Sequence, residues 1–97
     1  MTIARFYRMV AAQGREPELL EALTDLRRQV QSLAGSLGVD LFHDIKDPSI
    51  FIFIERWASI EAHKAAGSKL PKESLGRVMA VLAQPPEGSY LDCIKDD

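Results

Sequence analysis

The chain has 97 residues, of which 46% are apolar and 27% are charged, and its formal net charge is −2. This composition supports one modest hydrophobic core and excludes disordered and fibrous proteins, so residues 1–97 are predicted to form a single domain. The charges of both signs are spread evenly and form no basic stripe, which argues against nucleic acid as a partner.

Several further classes of site and location are not expected. The longest apolar run, Ile50 to Ile54, is far shorter than the ~20 residues of a membrane helix. The N-terminus has no signal-peptide pattern, so we expect a cytoplasmic protein without a membrane partner. The lone Cys93 is expected to be a small buried apolar residue. No metal site and no nucleotide cofactor are predicted, because the sequence lacks a ligand cluster and a Gly-rich phosphate loop.

The first half of the chain predicts a strand, a helix and a β-hairpin. Residues Thr2 to Ala12 are apolar at both alternating sets of positions, which indicates a strand covered on both faces. A helix is predicted from Glu16 to Ala34 by apolar residues at a spacing of three and four. Strands are then predicted over Val39 to Lys46 and Ile50 to Trp57, joined by a turn at Asp47, Pro48 and Ser49.

The second half predicts helical structure followed by a last strand. Ser59 is a good N-cap for a short helix over Ile60 to Ala66, and Pro71 suits the start of a second helix. The pattern after Pro71 is amphipathic and stops before Pro85. Ser89 to Ile94 is predicted to be the final strand.

The order strand, helix, strand, strand, helix, strand predicts an α+β fold of the ferredoxin-like, split β-α-β type. In this plan, one four-stranded antiparallel sheet has its helices on one face. The third strand is apolar on both faces, with Phe51 and Phe53 on one and Ile52 and Ile54 on the other. We therefore expect a second copy of the chain to cover the open sheet face, forming a homodimeric α/β barrel. His43 is expected near that interface.

The end of the third strand is the most promising place for a chemical site. It holds the only tryptophan, Trp57, together with Glu55 on the same strand face and His63 on the following helix. Trp57 is a core residue that can also stack on a flat ligand. Glu55 is either half of an ion pair with Arg5 or Arg77, or a base with a raised pKa. His63 is either a base or a solvated surface residue.

These segments resemble the antibiotic biosynthesis monooxygenase family of the dimeric α/β barrel superfamily. The resemblance runs over nearly the whole chain and includes residues 35–42, 47–48, 51–57 and 61–63. Its most specific element is the Glu55 and Trp57 pair that ends the third strand. The resemblance implies cofactor-independent oxygenation of a phenol, anthrone or quinol in a pocket between the sheet and the helices.

The resemblance also implies roles for individual residues. Trp57 matches the pocket tryptophan of the family, and Tyr7 occupies a first-strand position where some members have asparagine. His63 and Arg77 stand at spacings where some members place a polar ring and an arginine in the pocket. Phe53 stands where several members have asparagine, so a mechanism that uses this amide is not expected. Haem breakdown is not expected either, because no histidine follows in residues 70–84.

Together, these observations predict a monooxygenase-like enzyme for a small aromatic substrate. Trp57, Tyr7, Glu55 and Phe53 would line the pocket. His63 would act as the base, with Arg77 stabilising the anion. The alternative is a non-catalytic dimeric barrel that binds a small hydrophobic ligand or serves as a partner module.

Overall fold

The computed structural model describes residues 2–94, which form one antiparallel sheet of four strands and three helices. The sheet has the strand order β2-β3-β1-β4 and is open within the chain, which confirms the ferredoxin-like α+β class. The elements are β1 (Ile3–Val10), α1 (Glu16–Gln31), β2 (Ser36–His43), β3 (Ile50–Trp57), α2 (Ile60–Gly67), α3 (Lys72–Met79) and β4 (Glu87–Asp92).

The second strand begins and ends three residues earlier than predicted. A β-bulge between Ser36 and Gly38 lets the residues after the first helix pair with β3 at once. At the other end, the Asp44 carboxylate accepts the backbone N–H groups of Lys46 and Asp47. These bonds place residues 44–49 in a turn rather than a strand. The last strand also begins and ends two residues before its predicted bounds.

The core lies between the sheet and the helices. Phe51, Phe53 and Trp57 of β3 are almost completely buried on the helix-facing side of the sheet. The first helix covers them with its predicted apolar stripe, of which Leu19 and Leu23 are fully buried. The helix ends at Gln31, three residues before the predicted bound, but Leu33 still packs against the core.

The other face of the sheet is uncovered in the single chain and carries an apolar cluster, with Arg8 and the Arg56–Asp40 ion pair beside it. Phe6, Ile52 and Ile54 lie on it, and Phe42 and Leu91 are 51% and 44% exposed. His43 does not belong to this face, contrary to the prediction. Its ring stacks on Phe51 on the helix-facing side, with ring centroids 4.3 Å apart.

The second helix is held tightly against the end of the sheet. Ser59 caps it by accepting the backbone N–H of Ala62 at 3.0 Å, as predicted from the sequence. Gly35 has a φ of +86°, and a Cβ atom there would lie only 2.7 Å from the Cβ of Ala62. Glycine is therefore required both by the backbone conformation and by the close approach of α2. This contact positions His63 over the sheet.

None of the three helices in residues 2–94 combines the length and the apolar composition needed to cross a membrane.

Candidate active site

A cavity of about 340 Å³ lies between the sheet and the helices. Its walls are largely apolar and come from β1, β3 and all three helices. Its polar end lies where β3 meets α2. The lining side chains include Met9, Leu26, Val30, Phe53, Leu70, Leu75, Val78 and Met79, with Tyr7, Glu55, Trp57 and His63 at the polar end.

Glu55 is a buried carboxyl group at this polar end, only 5% exposed. The indole N–H of Trp57 donates to its Oε1 at 2.9 Å, which fixes both side chains on the same face of β3. The imidazole Nε2 of His63 lies 3.6 Å from the same oxygen. Arg5 stands opposite Glu55 in the pairing of β1 with β3.

His63 is in contact with polar groups at both ring nitrogens. Its Nε2 is hydrogen-bonded to the Tyr7 hydroxyl at 3.1 Å, and its Nδ1 to the Tyr90 hydroxyl at 2.7 Å. The edge of the ring also packs against Trp57, with ring centroids 5.6 Å apart. Because each hydroxyl can donate or accept, either neutral tautomer of the imidazole is compatible with both bonds. His63 is thus an ordered member of the site and not a solvated surface residue.

Burial sets the protonation of this cluster. It raises the pKa of the Glu55 carboxyl above its usual value, and the Trp57 hydrogen bond and the Arg5 charge offset part of the change. Burial also raises the pKa of Tyr7, and the Glu55 charge adds to this effect. The pKa of His63 is lowered, first by burial and then by Arg5 and Lys64. At neutral pH the imidazole is therefore uncharged and able to accept a proton.

The sequence indicates Arg5 only as a partner for Glu55, but in the structure Arg5 also packs over the rings of Tyr7 and Tyr90. Its guanidinium carbon lies 4.9 Å from the centroid of the Tyr7 ring and 4.3 Å from that of Tyr90. These are cation–π distances. Gly88 makes room for this arrangement, because a Cβ atom there would lie 2.5 Å from an Arg5 amino group.

Five of the six residues predicted for the site line the cavity together: Tyr7, Phe53, Glu55, Trp57 and His63. Arg77 does not join them. It lies on the outer side of α3, where it forms ion pairs with Asp25 at 2.8 Å and Glu21 at 3.6 Å. The same helix turns Val78 and Leu75 towards the cavity, so Arg77 points towards α1.

Tyr90 was missed in the sequence, and no local pattern singles it out. It reaches His63 only because β4 pairs with β1, which places Tyr90 directly opposite Arg5. The sequence of either strand alone does not determine the register of this non-local pairing.

Within residues 2–94, no group of three or more His, Cys, Asp or Glu side chains is arranged to hold a metal ion. Cys93 is half-buried and has no disulfide partner. The polar groups of the cavity are therefore those of Tyr7, Glu55, Trp57 and His63. They provide a proton acceptor, one hydroxyl group, one indole N–H group and one carboxyl group at one end of an apolar space.

Comparisons with solved structures agree with the observed fold. The chain is similar to an antibiotic biosynthesis monooxygenase, with a TM-score of 0.84, 20% identity and coverage of 96% of this chain and 99% of that one. It is similar to Rv0793 from Mycobacterium tuberculosis, with a TM-score of 0.81, 17% identity and coverage of 99% and 98%. A point variant of SnoaB, a cofactor-independent oxygenase from Streptomyces nogalater, gives a TM-score of 0.82 at 12% identity, with coverage of 98% and 95%.

At these identities, the similarities to solved structures establish the fold and leave the chemistry open. No curated protein sequence matches the chain significantly. The sequence profile of the family described as antibiotic biosynthesis monooxygenase matches residues 2–68, which include β1, α1, the hairpin and α2. This match covers more than half of the chain and includes Tyr7, Glu55, Trp57 and His63. The chain therefore belongs to the antibiotic biosynthesis monooxygenase family.

Proposed function

We propose that this protein is a cofactor-independent monooxygenase that oxidises a small aromatic substrate of the phenol, anthrone or quinol type. The observation that carries the proposal is the hydrogen-bonded cluster of Tyr7, Glu55, Trp57 and His63 at one end of an otherwise apolar cavity. Family membership supports the same reaction class.

The cavity suits a flat aromatic molecule with one polar end. Its volume of about 340 Å³ lies at the lower end of the range of roughly 300–1,000 Å³ for small-molecule sites. Apolar side chains from α1 and α3 would contact the ring system. The polar end would bind a hydroxyl or carbonyl group and thereby orient the substrate.

His63 is the proton acceptor in this proposal. Its lowered pKa keeps the imidazole neutral at physiological pH, and the Tyr7 hydroxyl lies within hydrogen-bond distance. Removal of a proton converts the substrate into an electron-rich anion. Arg5 does not line the cavity, but its positive charge over the Tyr7 ring would favour negative charge at the polar end and so stabilise this anion. Arg5 thus takes the role that the sequence suggested for Arg77.

The anion then reduces dioxygen directly. A carbon–oxygen bond forms at an activated ring carbon and gives a hydroperoxide after protonation. Loss of water from the hydroperoxide leaves a carbonyl group. One oxygen atom of dioxygen enters the product and the other leaves as water, so the substrate itself supplies all the electrons.

We also propose that two copies of the chain pack through their open sheet faces. The support is the apolar surface formed by Phe6, Phe42, Ile52, Ile54 and Leu91. An exposed apolar surface of this kind marks an interaction site, and a second copy offers a complementary apolar surface of the same size. The catalytic cavities lie on the opposite side of each sheet.

The proposed reaction is tested by oxygen uptake with a panel of anthrones and naphthohydroquinones. The wild type is expected to consume oxygen, with an acid limb of the pH–rate profile below the usual histidine value of 6.5. His63→Ala is expected to lose about 100-fold or more in rate because the base is removed. Trp57→Phe keeps an aromatic ring but loses the N–H that binds Glu55, so a smaller loss is expected. Arg77→Ala is the matched control and should retain wild-type rates.

No enzyme-dependent oxygen uptake across the panel would contradict the proposal and favour a non-catalytic ligand-binding barrel. Oxygen uptake by His63→Ala at the wild-type rate would show that His63 is not the base, and the proposed reaction class would still stand.

A further inference from the structure

We propose that Tyr7, His63 and Tyr90 form a proton relay that connects the cavity with solvent, and that Tyr90 is a positioning residue at its outer end. The use of this relay in catalysis rests on the proposed function. Its existence rests on the geometry of the three side chains, which come from β1, α2 and β4.

The relay is a continuous chain of hydrogen bonds. At the inner end, Tyr7 lines the cavity and its hydroxyl is bonded to Nε2 of His63 at 3.1 Å. At the outer end, Nδ1 of His63 is bonded to the Tyr90 hydroxyl at 2.7 Å. Tyr90 does not line the cavity and is 37% exposed, so the chain begins at the substrate space and ends at the surface.

The three groups have the chemistry that proton transfer through such a chain requires. A hydroxyl donates and accepts at once, and a neutral imidazole donates at one nitrogen and accepts at the other. When the Tyr7 oxygen takes the substrate proton, the Tyr7 hydrogen moves to Nε2. The hydrogen on Nδ1 then moves to Tyr90, and the hydrogen of Tyr90 moves to water. One proton leaves the substrate and one enters solvent, and the imidazole ends as the other neutral tautomer.

Charged neighbours on the surrounding elements keep this chain in place. Arg5 packs over both tyrosine rings, and Glu55 lies 3.6 Å from Nε2 of His63. Lys64 is the other charged residue whose field acts on the imidazole. The Arg5 cation favours a neutral His63, which is the form that can pass a proton in either direction.

Gly88 completes the outer end of the relay. It pairs with Tyr7 across β1 and β4, and its missing side chain leaves the space that the Arg5 guanidinium occupies between the tyrosines. Without that space, Arg5 would be displaced from the rings of Tyr7 and Tyr90. The arrangement therefore depends on a specific residue in each of the two strands.

The first test is ¹⁵N NMR of the His63 ring nitrogens in the ligand-free protein. Outward transfer begins from the tautomer that carries its hydrogen on Nδ1, so we expect this tautomer to be populated in the wild type and the Nδ1 shift to lie towards the protonated limit. Tyr90→Phe keeps the ring beneath Arg5 but removes the partner of Nδ1. This variant should fix the proton on Nε2, where the Tyr7 oxygen remains as an acceptor at 3.1 Å. A wild type that holds only the Nε2–H tautomer across the pH range of the neutral ring would overturn the proposal.

The second test measures how fast the Tyr7 hydroxyl hydrogen exchanges with water, from the deuterium isotope shift on its ring carbon Cζ. We expect exchange at least about ten-fold slower in Tyr90→Phe than in the wild type. Ser89→Ala is the matched control, because it removes a hydroxyl from the same strand on the opposite face of the sheet. Equal Tyr7 exchange rates in the wild type and Tyr90→Phe would show that the hydrogen leaves through the cavity mouth and would overturn the relay.

Both measurements use the ligand-free protein, so they are independent of oxygen uptake. A protein that gives the expected result in both tests without oxidising any aromatic compound would keep the relay and refute the proposed function. A protein that oxidises an aromatic compound but fails both tests would keep the proposed function and refute the relay.

Discussion

At the scale of single residues, Glu55 is the one buried charged side chain among the described residues. A carboxylate that is 5% exposed loses most of its hydration, and the indole N–H of Trp57 replaces only part of it. The Arg5 charge lies opposite, but no ion pair within 4.0 Å is formed between the two side chains in the described residues. The net result is the raised pKa of Glu55, in which burial is the dominant cause.

This raised pKa predicts that Glu55 destabilises the fold as the pH increases. The folded protein holds the proton more tightly than the unfolded chain, so the free energy of unfolding falls as the pH rises above the usual value of 4.5. Glu55→Gln keeps an oxygen that accepts from Trp57 but cannot ionise. We expect the variant to gain stability relative to the wild type over this range, measured by urea unfolding from pH 4 to pH 8.

Glu87→Gln is the control for this series, since Glu87 is exposed and lies 4.0 Å from Arg8 at the surface. Its effect on the free energy of unfolding should stay within about 0.5 kcal/mol at every pH. A Glu55→Gln variant that loses stability relative to the wild type as the pH rises would mean that Glu55 is held as a stabilised carboxylate.

At the scale of secondary structure elements, the position of α2 determines the site. This short helix carries His63, and it is fixed by its Ser59 cap and by contact with Gly35. The backbone N–H of Ala58 also donates to the Gly35 carbonyl at 2.9 Å. The turn after α1 therefore sets the distance between His63 and the sheet.

Gly35→Ala is expected to destabilise the protein more than Gly14→Ala. Both glycines have positive φ angles, +86° and +81°, so each alanine should cost roughly 1–2 kcal/mol from backbone strain. Only at residue 35 does the new methyl group collide with Ala62, which should add about 1–3 kcal/mol. Thermal unfolding of the two variants measures the difference. Equal losses would show that α2 moves aside freely.

The bounds of strands and helices could be predicted where hydrophobic periodicity determines them. They could not be predicted where long-range strand pairing determines them. The alternation in Ile50–Trp57 and the stripe from Leu19 to Val30 gave the correct strand and helix. The predicted range Val39 to Lys46 was displaced because local alternation does not reveal the bulge after Ser36 or the turn formed by Asp44.

The same distinction holds for the site. Glu55 and Trp57 are two residues apart on one strand, so their shared face follows from the strand period. His63 follows from the short connection to α2. Tyr90 could not be found, because its contact with His63 depends on the pairing of the last strand with the first. The position of Arg77 could not be predicted either, since it depends on the rotation of α3 against α1.

At the scale of the whole molecule, the sheet separates two functions. Its helix-facing side forms the cavity, and its open side carries an apolar cluster that nothing covers in the single chain. We therefore expect a dimer that leaves the cavity of each copy accessible.

Ile52→Lys tests this arrangement by placing a charge in the centre of the open face, where the residues directly opposite are Arg8 and Phe42. A buried cation without an acidic partner costs several kcal/mol, so we expect dimerisation to weaken by about ten-fold or more in sedimentation velocity experiments. Leu20→Lys is the control, because Leu20 is 44% exposed on the outer side of α1. A wild type that sediments as a monomer at micromolar concentration would contradict the proposed assembly.

The most direct test of the central claim is the fate of labelled dioxygen. Each product molecule formed from an anthrone or naphthohydroquinone under ¹⁸O₂ is expected to contain one ¹⁸O atom, and His63→Ala is expected to form this product far more slowly. Product oxygen derived from water, or no enzyme-dependent product in the presence of the wild type, would contradict this claim.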